Sequence, residues 1–180
     1  MDFNELSQSR RSVRGYQQKN IPNGDLEKLI IAAQSAPSAG NCQPWHFFII
    51  SDTALKTEIK NKSCNQEFLL TAPVFIVVCA DIKRSEARYS ERGRNLYCIQ
   101  DTAAAIQNIL LCAKSLGLGT CWCGAFNENA LSEIMRLEKD MRPVAIIPVG
   151  YPLNEGAPTK RRPVQEIVTL IGDDVSNMQL

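Results

Sequence analysis

Three arginines and two serines fall within the six residues Ser9-Arg10-Arg11-Ser12-Val13-Arg14. A guanidinium group presents a planar fork of donors that meets phosphate oxygens two at a time, and a serine hydroxyl adds a short neutral donor. The spacing suits a clamp for a doubly charged anion. A second basic cluster, Lys160-Arg161-Arg162, stands near the other end of the chain, and closing both on one ligand would tie the termini together. Either run taken alone is equally the composition of solvated surface.

Ala36 to Trp45 is the second informative stretch. Pro37, Pro44 and Gly40 fix an irregular backbone, while Ser38, Asn41 and Gln43 present neutral donors and acceptors. Such a loop suits the edge of a flat heterocycle, and equally a polar helix-to-strand connection. Seven scattered cysteines (Cys42, Cys64, Cys79, Cys98, Cys112, Cys121, Cys123) form no CxxC and cannot all pair within one chain. They are expected to be free thiols serving as small buried apolar groups in a reducing compartment. With one histidine beside them, they also fall short of a structural metal site. That histidine, His46, is expected to be packed in a strand. No Ser-His-Asp set or paired carboxylates stand out, and Gly117-x-Gly119 is not completed by a glycine at Trp122, so a separate dinucleotide-binding domain is not expected.

The elements that position these residues are bounded by ordinary globular composition. At 180 residues, 44% hydrophobic and 22% charged, the chain fits one domain with a real core. Twenty Lys plus Arg against nineteen Asp plus Glu give a net charge of +1, which provides no general pull on nucleic acid or an anionic membrane. Met1 is followed by Asp2 and Glu5 rather than a basic and then apolar leader, and no apolar run reaches bilayer length. A soluble, cytoplasmic protein is expected.

Periodicity predicts helices over 2–9, 23–36, 52–62, about 96–116 and 128–135, and strands over 45–51, 74–80, 119–124 and 144–149. The run Val74 to Ala80 is apolar and β-branched throughout, as in a strand buried on both faces. Ile82 to Asn95, rich in arginine, predicts a solvated excursion or surface helix. The helix through Ala103 to Ala113 is apolar enough to be buried on more than one side, in one subunit or between two. Val164 to Ile171 is expected to pack as an arm. The alternation predicts a single sheet layer with helices on both faces.

Four motifs in order, Arg10 to Arg14, Pro37 to Trp45, Asp101 to Gly124 and Lys160 to Arg162, give a sequence that resembles the nitroreductase family of FMN-dependent oxidoreductases over nearly its whole length. The resemblance implies an α+β fold with a mainly antiparallel sheet flanked by helices. It implies one FMN-binding domain over 1–180, with 155–180 as a C-terminal arm, in an intertwined homodimer with two interfacial FMN sites. Arg10, Arg11, Ser12, Arg14, Lys160 and Arg162 would hold the phosphate and ribityl end. Pro37, Ser38, Ala39 and Asn41 would come from the partner, and Gln43 and Asn65 would meet the isoalloxazine edge. Cys123 and Gly124 would bring backbone near flavin N5 and O4; some relatives carry an acidic residue in place of Cys123. No side chain is implied as catalytic, because flavins carry the hydride chemistry themselves. NADH or NADPH would pass hydride to the flavin and leave before a nitroaromatic, quinone or similar acceptor enters, which is ping-pong turnover. Reductive dehalogenation or flavin modification on the same scaffold, and a non-enzymatic nucleotide sensor, are the alternatives.

Overall fold

The computed structural model describes residues 2–171. Its strands in chain order are β1 (Trp45–Ile50), β2 (Val74–Asp81), β3 (Gly119–Thr120) and β4 (Met141–Gly150), arranged in space as β1-β2-β4-β3 with every neighbour antiparallel. The helices are α1 (Phe3–Ser9), α2 (Asn23–Gln34), α3 (Thr53–Ile59), α4 (Ile82–Arg92), α5 (Cys98–Ser115) and α6 (Glu128–Met135).

The two most apolar strands, β2 and β4, take the centre because only there are both faces covered. Alternate residues point to opposite faces. Ile76, Val78, Ile147 and Val149 pack against Leu29 and Ala33 of α2 and against Ala105, Ile106, Ile109 and Ala113 of α5. Phe75, Val77 and Ile146 face the other way, onto Tyr16, Ile59, Leu69 and Leu131. Each fully buried large side chain contributes about 1.5 to 3 kcal/mol relative to exposure, so these two layers set the architecture. Helix starts follow local chemistry: Asp2 and Glu5 form a reciprocal capping box, while Asp52, Asp81 and Asn127 accept from the backbone amides of Leu55, Arg84 and Ala130.

Several expected boundaries shift. The predicted helix 52–62 leaves α geometry after Ile59, continues as a π turn over Lys60–Cys64, and stops at Asn65 with φ 41°. The predicted strand 119–124 pairs only at Gly119 and Thr120, and Cys123 returns to the sheet through a single bridge to Ile146. The arginine-rich segment is a helix that doubles back at Ser90 (φ 50°, ψ −137°), running through a π turn at Gly93–Tyr97 into α5. A bidentate pair between Arg94 and Glu86, at 2.8 and 2.6 Å, links the two arms of this bend. His46 is exposed on β1 with its ring against Phe48, because β1 is an edge strand whose outer residues face solvent. The apolar face of α5 is buried by its own sheet. Val164, Ile167 and Ile171 are 47, 61 and 88% exposed on this single chain, so the arm does not pack on its own body. The part of the arm at 172–180 lies outside the described residues.

Candidate functional site

Residues 10–17 run along the β3 edge of the sheet. Val13 donates its N–H to the Thr120 carbonyl at 2.9 Å, and Leu153 donates to the Gly15 carbonyl at 3.0 Å. Tyr16 is buried, with its hydroxyl 2.8 Å from the Val13 carbonyl and 3.3 Å from that of Pro148. That anchor leaves Arg10, Arg11, Ser12 and Arg14 facing a hollow of about 500 Å³, closed by Gly156, Ala157, Thr159 and Arg161. No carboxylate among the described residues lines it. Burial first, and then the charges of Arg161 and Arg11, hold the Arg10 guanidinium below its ordinary range. Cations gathered without a counter-charge make a site for a polyanion.

Of the second basic cluster, Arg161 is the member that lines the hollow. Lys160 and Arg162 are exposed, and Arg162 pairs with Glu166 at 3.2 Å. Thr159 and Arg161 share one side of an irregular, extended stretch, where alternate side chains diverge.

The loop from Pro37 is held by other elements. Ala39 donates its N–H at 3.0 Å to Asp101, a buried carboxylate in the first turn of α5. The Gln43 N–H reaches the Ser38 hydroxyl at 3.0 Å, and Gln43 Nε2 lies 3.2 Å from Asn41 Oδ1. Gly40, Asn41 and Gln43 all have positive φ (53°, 56° and 49°), a conformation that needs external support. The arginine-rich helix supplies it: Arg84 Nε donates to the Cys42 carbonyl at 2.5 Å and Arg88 to that of Gly40 at 2.6 Å. A Cβ at Gly40 would fall 2.3 Å from the Tyr89 hydroxyl.

Asn65 belongs to the first region. The Ser63 carbonyl accepts from the Asn127 amide at 2.8 Å, and Cys64 Sγ lies 3.7 Å from the Ala125 carbonyl, which places the end of the π turn beside Cys123 and Gly124. The Cys123 N–H is already donated to the Ile146 carbonyl at 3.0 Å. That amide is therefore committed to the sheet.

The sheet places the two regions at opposite corners. Trp45, which follows the loop, pairs with Ala80 at one end of β2 on one edge, whereas Gly119, beside the clamp, pairs with Gly150 next to the Val74 end on the other edge. Three strand spacings across and the length of β2 along separate the corners by about 25 Å. No side chain spans that within one chain.

The family model of the nitroreductase family matches residues 8–64 and 57–151. This chain belongs to the nitroreductase family. A protein of Archaeoglobus fulgidus, provisionally named NADH dehydrogenase/NAD(P)H nitroreductase, is 36% identical over 151 residues, covering 82% of this chain and 83% of its own. A Bacillus subtilis protein named FMN reductase [NAD(P)H] is 29% identical, over 92% and 73% of the two chains. A crystal structure of a nitroreductase family protein from Streptococcus pneumoniae superposes with a TM-score of 0.85 at 26% identity, over 94% of this chain and all of that one. The antiparallel sheet flanked by helices is thus the nitroreductase fold.

Within this nitroreductase, the resemblance assigned Lys160 and Arg162 to the phosphate and passed over Arg161, the member of the triplet that lines the hollow. Asp101 was legible only as the start of a motif, since a carboxylate in a helix's first turn is ordinarily a dipole partner. Arg84 and Arg88 carried no signal beyond charge.

Proposed function

We propose that the protein binds FMN with its phosphate in the carboxylate-free arginine hollow and uses NADH or NADPH to reduce a small organic acceptor, such as a nitroaromatic or quinone, by ping-pong turnover. The names of the relatives support the coarser statement, an NAD(P)H-dependent flavin oxidoreductase. The observation that carries the FMN assignment is the hollow itself, in which several guanidinium groups and two hydroxyl side chains meet no acid among the described residues.

Bound flavin supplies the hydride chemistry. Arg10, Ser12, Arg14 and Arg161 hold the phosphate, with Arg11 partly turned to the carbonyls of Gln8 and Arg10. Gly124, lacking a side chain, lets a flat ring approach the backbone, and Asn65 offers its amide beside it. Because the Cys123 amide is bound in the sheet, its part is to fix the position of Gly124. Pro37, Ser38, Ala39, Asn41 and Gln43 reach this region only from a second copy, which makes the working unit a homodimer with composite sites. The charge of the clamp also orients an incoming anionic donor. No helix among the described residues is long and apolar enough to cross a membrane.

Anaerobic reduction of the flavin-loaded protein by NADH and by NADPH, followed by an acceptor panel, tests the reaction. Bleaching of the flavin absorbance by either donor, and its return on adding acceptor in a separate step, is the expected result. A flavin spectrum that neither donor changes would sink the proposed reaction.

A further inference from the structure

The bend that joins α4 to α5 carries charge that the flavin site leaves unused. Lys83, Arg84, Arg88 and Arg92 make no ion pair among the described residues, whereas Arg94 is paired with Glu86. Two tyrosines stand among them, Tyr89 and Tyr97, edge to face with ring centroids 5.1 Å apart. The exposed Arg92 donates its Nε hydrogen to the Tyr97 hydroxyl at 2.8 Å, with its guanidinium 5.2 Å from the centre of that ring. Neither Nη group of Arg92 has a partner among the described residues. The chain makes this bend at Ser90 with φ 50° and ψ −137°, a conformation that a serine holds only with support and that clusters at ligand sites.

The bend and the loop from Pro37 form one piece. Arg88 donates to the Gly40 carbonyl at 2.6 Å, and a Cβ on Gly40 would lie 2.3 Å from the Tyr89 hydroxyl. Wherever the loop goes, the two tyrosines and Arg92 follow. We propose that this bend holds the adenosine end of the nicotinamide donor, with Tyr89 and Tyr97 against the purine and Arg92 on the 2′-phosphate, so that NADPH is preferred to NADH. This preference rests on the composite flavin site proposed above, in which one copy brings its loop to the clamp region of the other.

Hydride leaves from the nicotinamide, so that ring has to meet the flavin, and the phosphates and adenosine extend beyond it. The clamp cannot take those phosphates, because in the loaded protein it holds the phosphate of FMN. The loop of the second copy forms the other side of the composite site, and the bend adjoins it. Aromatic faces stack any purine, whereas a guanidinium fork with two free Nη groups meets two oxygens of one phosphate. NADPH carries one phosphate more than NADH, on the ribose beside the adenine. A ring pair with an oriented fork next to it is built to read that difference. Arg84 and Arg88 direct their donors to loop carbonyls, so with Lys83 they add field rather than a specific contact.

The protein loaded with FMN is titrated calorimetrically with adenosine 2′,5′-bisphosphate and with 5′-AMP. The bisphosphate should bind roughly tenfold more tightly, the size of one charge-assisted contact at an exposed site. Arg92→Ala should remove the difference, and Tyr97→Phe, which keeps the ring but not the hydroxyl that orients Arg92, should reduce it. The same order should appear with the donors themselves. The concentration of NADPH that half-saturates the rate of flavin bleaching should rise about tenfold in Arg92→Ala, and that of NADH less than about threefold. Equal binding of the two adenosine nucleotides by the wild type, or an Arg92→Ala protein that still distinguishes them, would overturn the assignment. A flavin that neither donor bleaches, in a protein that distinguishes the nucleotides through Arg92, would remove the proposed reaction and uphold the bend as a nucleotide site.

Discussion

At the scale of residues, an arginine matters here by the side to which the backbone turns it. Arg14 and Arg161 face the hollow, whereas Lys160 is exposed outside it. A charge-assisted contact to phosphate contributes about 1.5 to 3 kcal/mol, so Arg14→Ala and Arg161→Ala should each weaken FMN binding roughly ten- to hundredfold. Lys160→Ala should weaken it less than about threefold, as a screened surface charge does. Titration of apoprotein with FMN checks all three, and equal losses would place the phosphate elsewhere. Asp101 gives a prediction in pH. Burial lifts its pKa above the ordinary carboxylate value, with the Ala39 amide opposing. A raised carboxyl binds its proton more tightly in the folded state, so its contribution is full below the unfolded pKa and is lost as pH rises through the folded one. Asp101→Asn, which keeps an acceptor for Ala39, should therefore flatten the fall in stability that sets in as pH rises above the ordinary carboxylate range. Urea midpoints at several pH values measure this, and a variant whose pH dependence matches wild type would remove Asp101 as its source.

The elements are tied to one another by close approaches that a hydropathy pattern does not register. The arginine-rich segment was legible as charged, either a solvated excursion or a surface helix, but its role depends on the reversal at Ser90, which brings Gly93 against the Ser85 carbonyl; a Cβ there would lie only 2.3 Å from that oxygen. Backbone cannot yield as a flexible side chain can, so Gly93→Ala should cost about 2 to 4 kcal/mol and spread the two arms. The same helix holds the loop, since Arg88 donates to the Gly40 carbonyl. Heat denaturation with and without FMN separates the effects: Gly93→Ala lowers stability in both, whereas Arg88→Ala, which releases a loop but no core, lowers mainly the gain from FMN. An unchanged melting temperature for Gly93→Ala would show that the bend is looser than its contacts imply.

For the whole molecule, the 25 Å diagonal between clamp and loop is decisive. The fold of one chain separates residues that the family resemblance assigns to one ligand, and the proposed two-fold dimer would reunite them. The exposed apolar arm, with Ile167 and Ile171 open to solvent, would supply surface for that proposed union. A complementation experiment follows from this arrangement. The double variant Arg10→Ala, Arg14→Ala disables the clamp at FMN concentrations too low to refill it, and Ser38→Trp obstructs the loop, so each homodimer should lack activity under those conditions. Co-expressed, they make a heterodimer with one site built from an intact clamp and an intact loop. Purified mixed dimers should then regain about half the wild-type turnover. Mixed dimers as inactive as their parents would mean that each chain carries its own complete site.

The sequence by itself determined what depends on local composition and spacing. The centres of the two buried strands follow from the continuous apolar runs Val74–Ala80 and Val144–Val149, the helix starts at Asp2, Asp52 and Asn127 from polar side chains ahead of each helix, and the basic lining of the hollow from clustered arginines. These signals reside in neighbouring residues, and burial on both faces leaves such strands few alternatives. Contacts between distant segments were decided by the tertiary structure alone. The turning of Arg161 toward Arg10, the bond from Ala39 to Asp101 across the start of α5, and the gathering of Cys64 with Cys121 and Cys123 join residues far apart in sequence. No charge flanks Cys123 within the segment 121–125, so the sequence alone makes it an unreactive thiol, while the Ser12–Thr120 bridge at the β3 edge brings the arginine-rich strand alongside this segment. A side chain's electrostatic environment is set by distance through space, and that distance exists only once the sheet has formed.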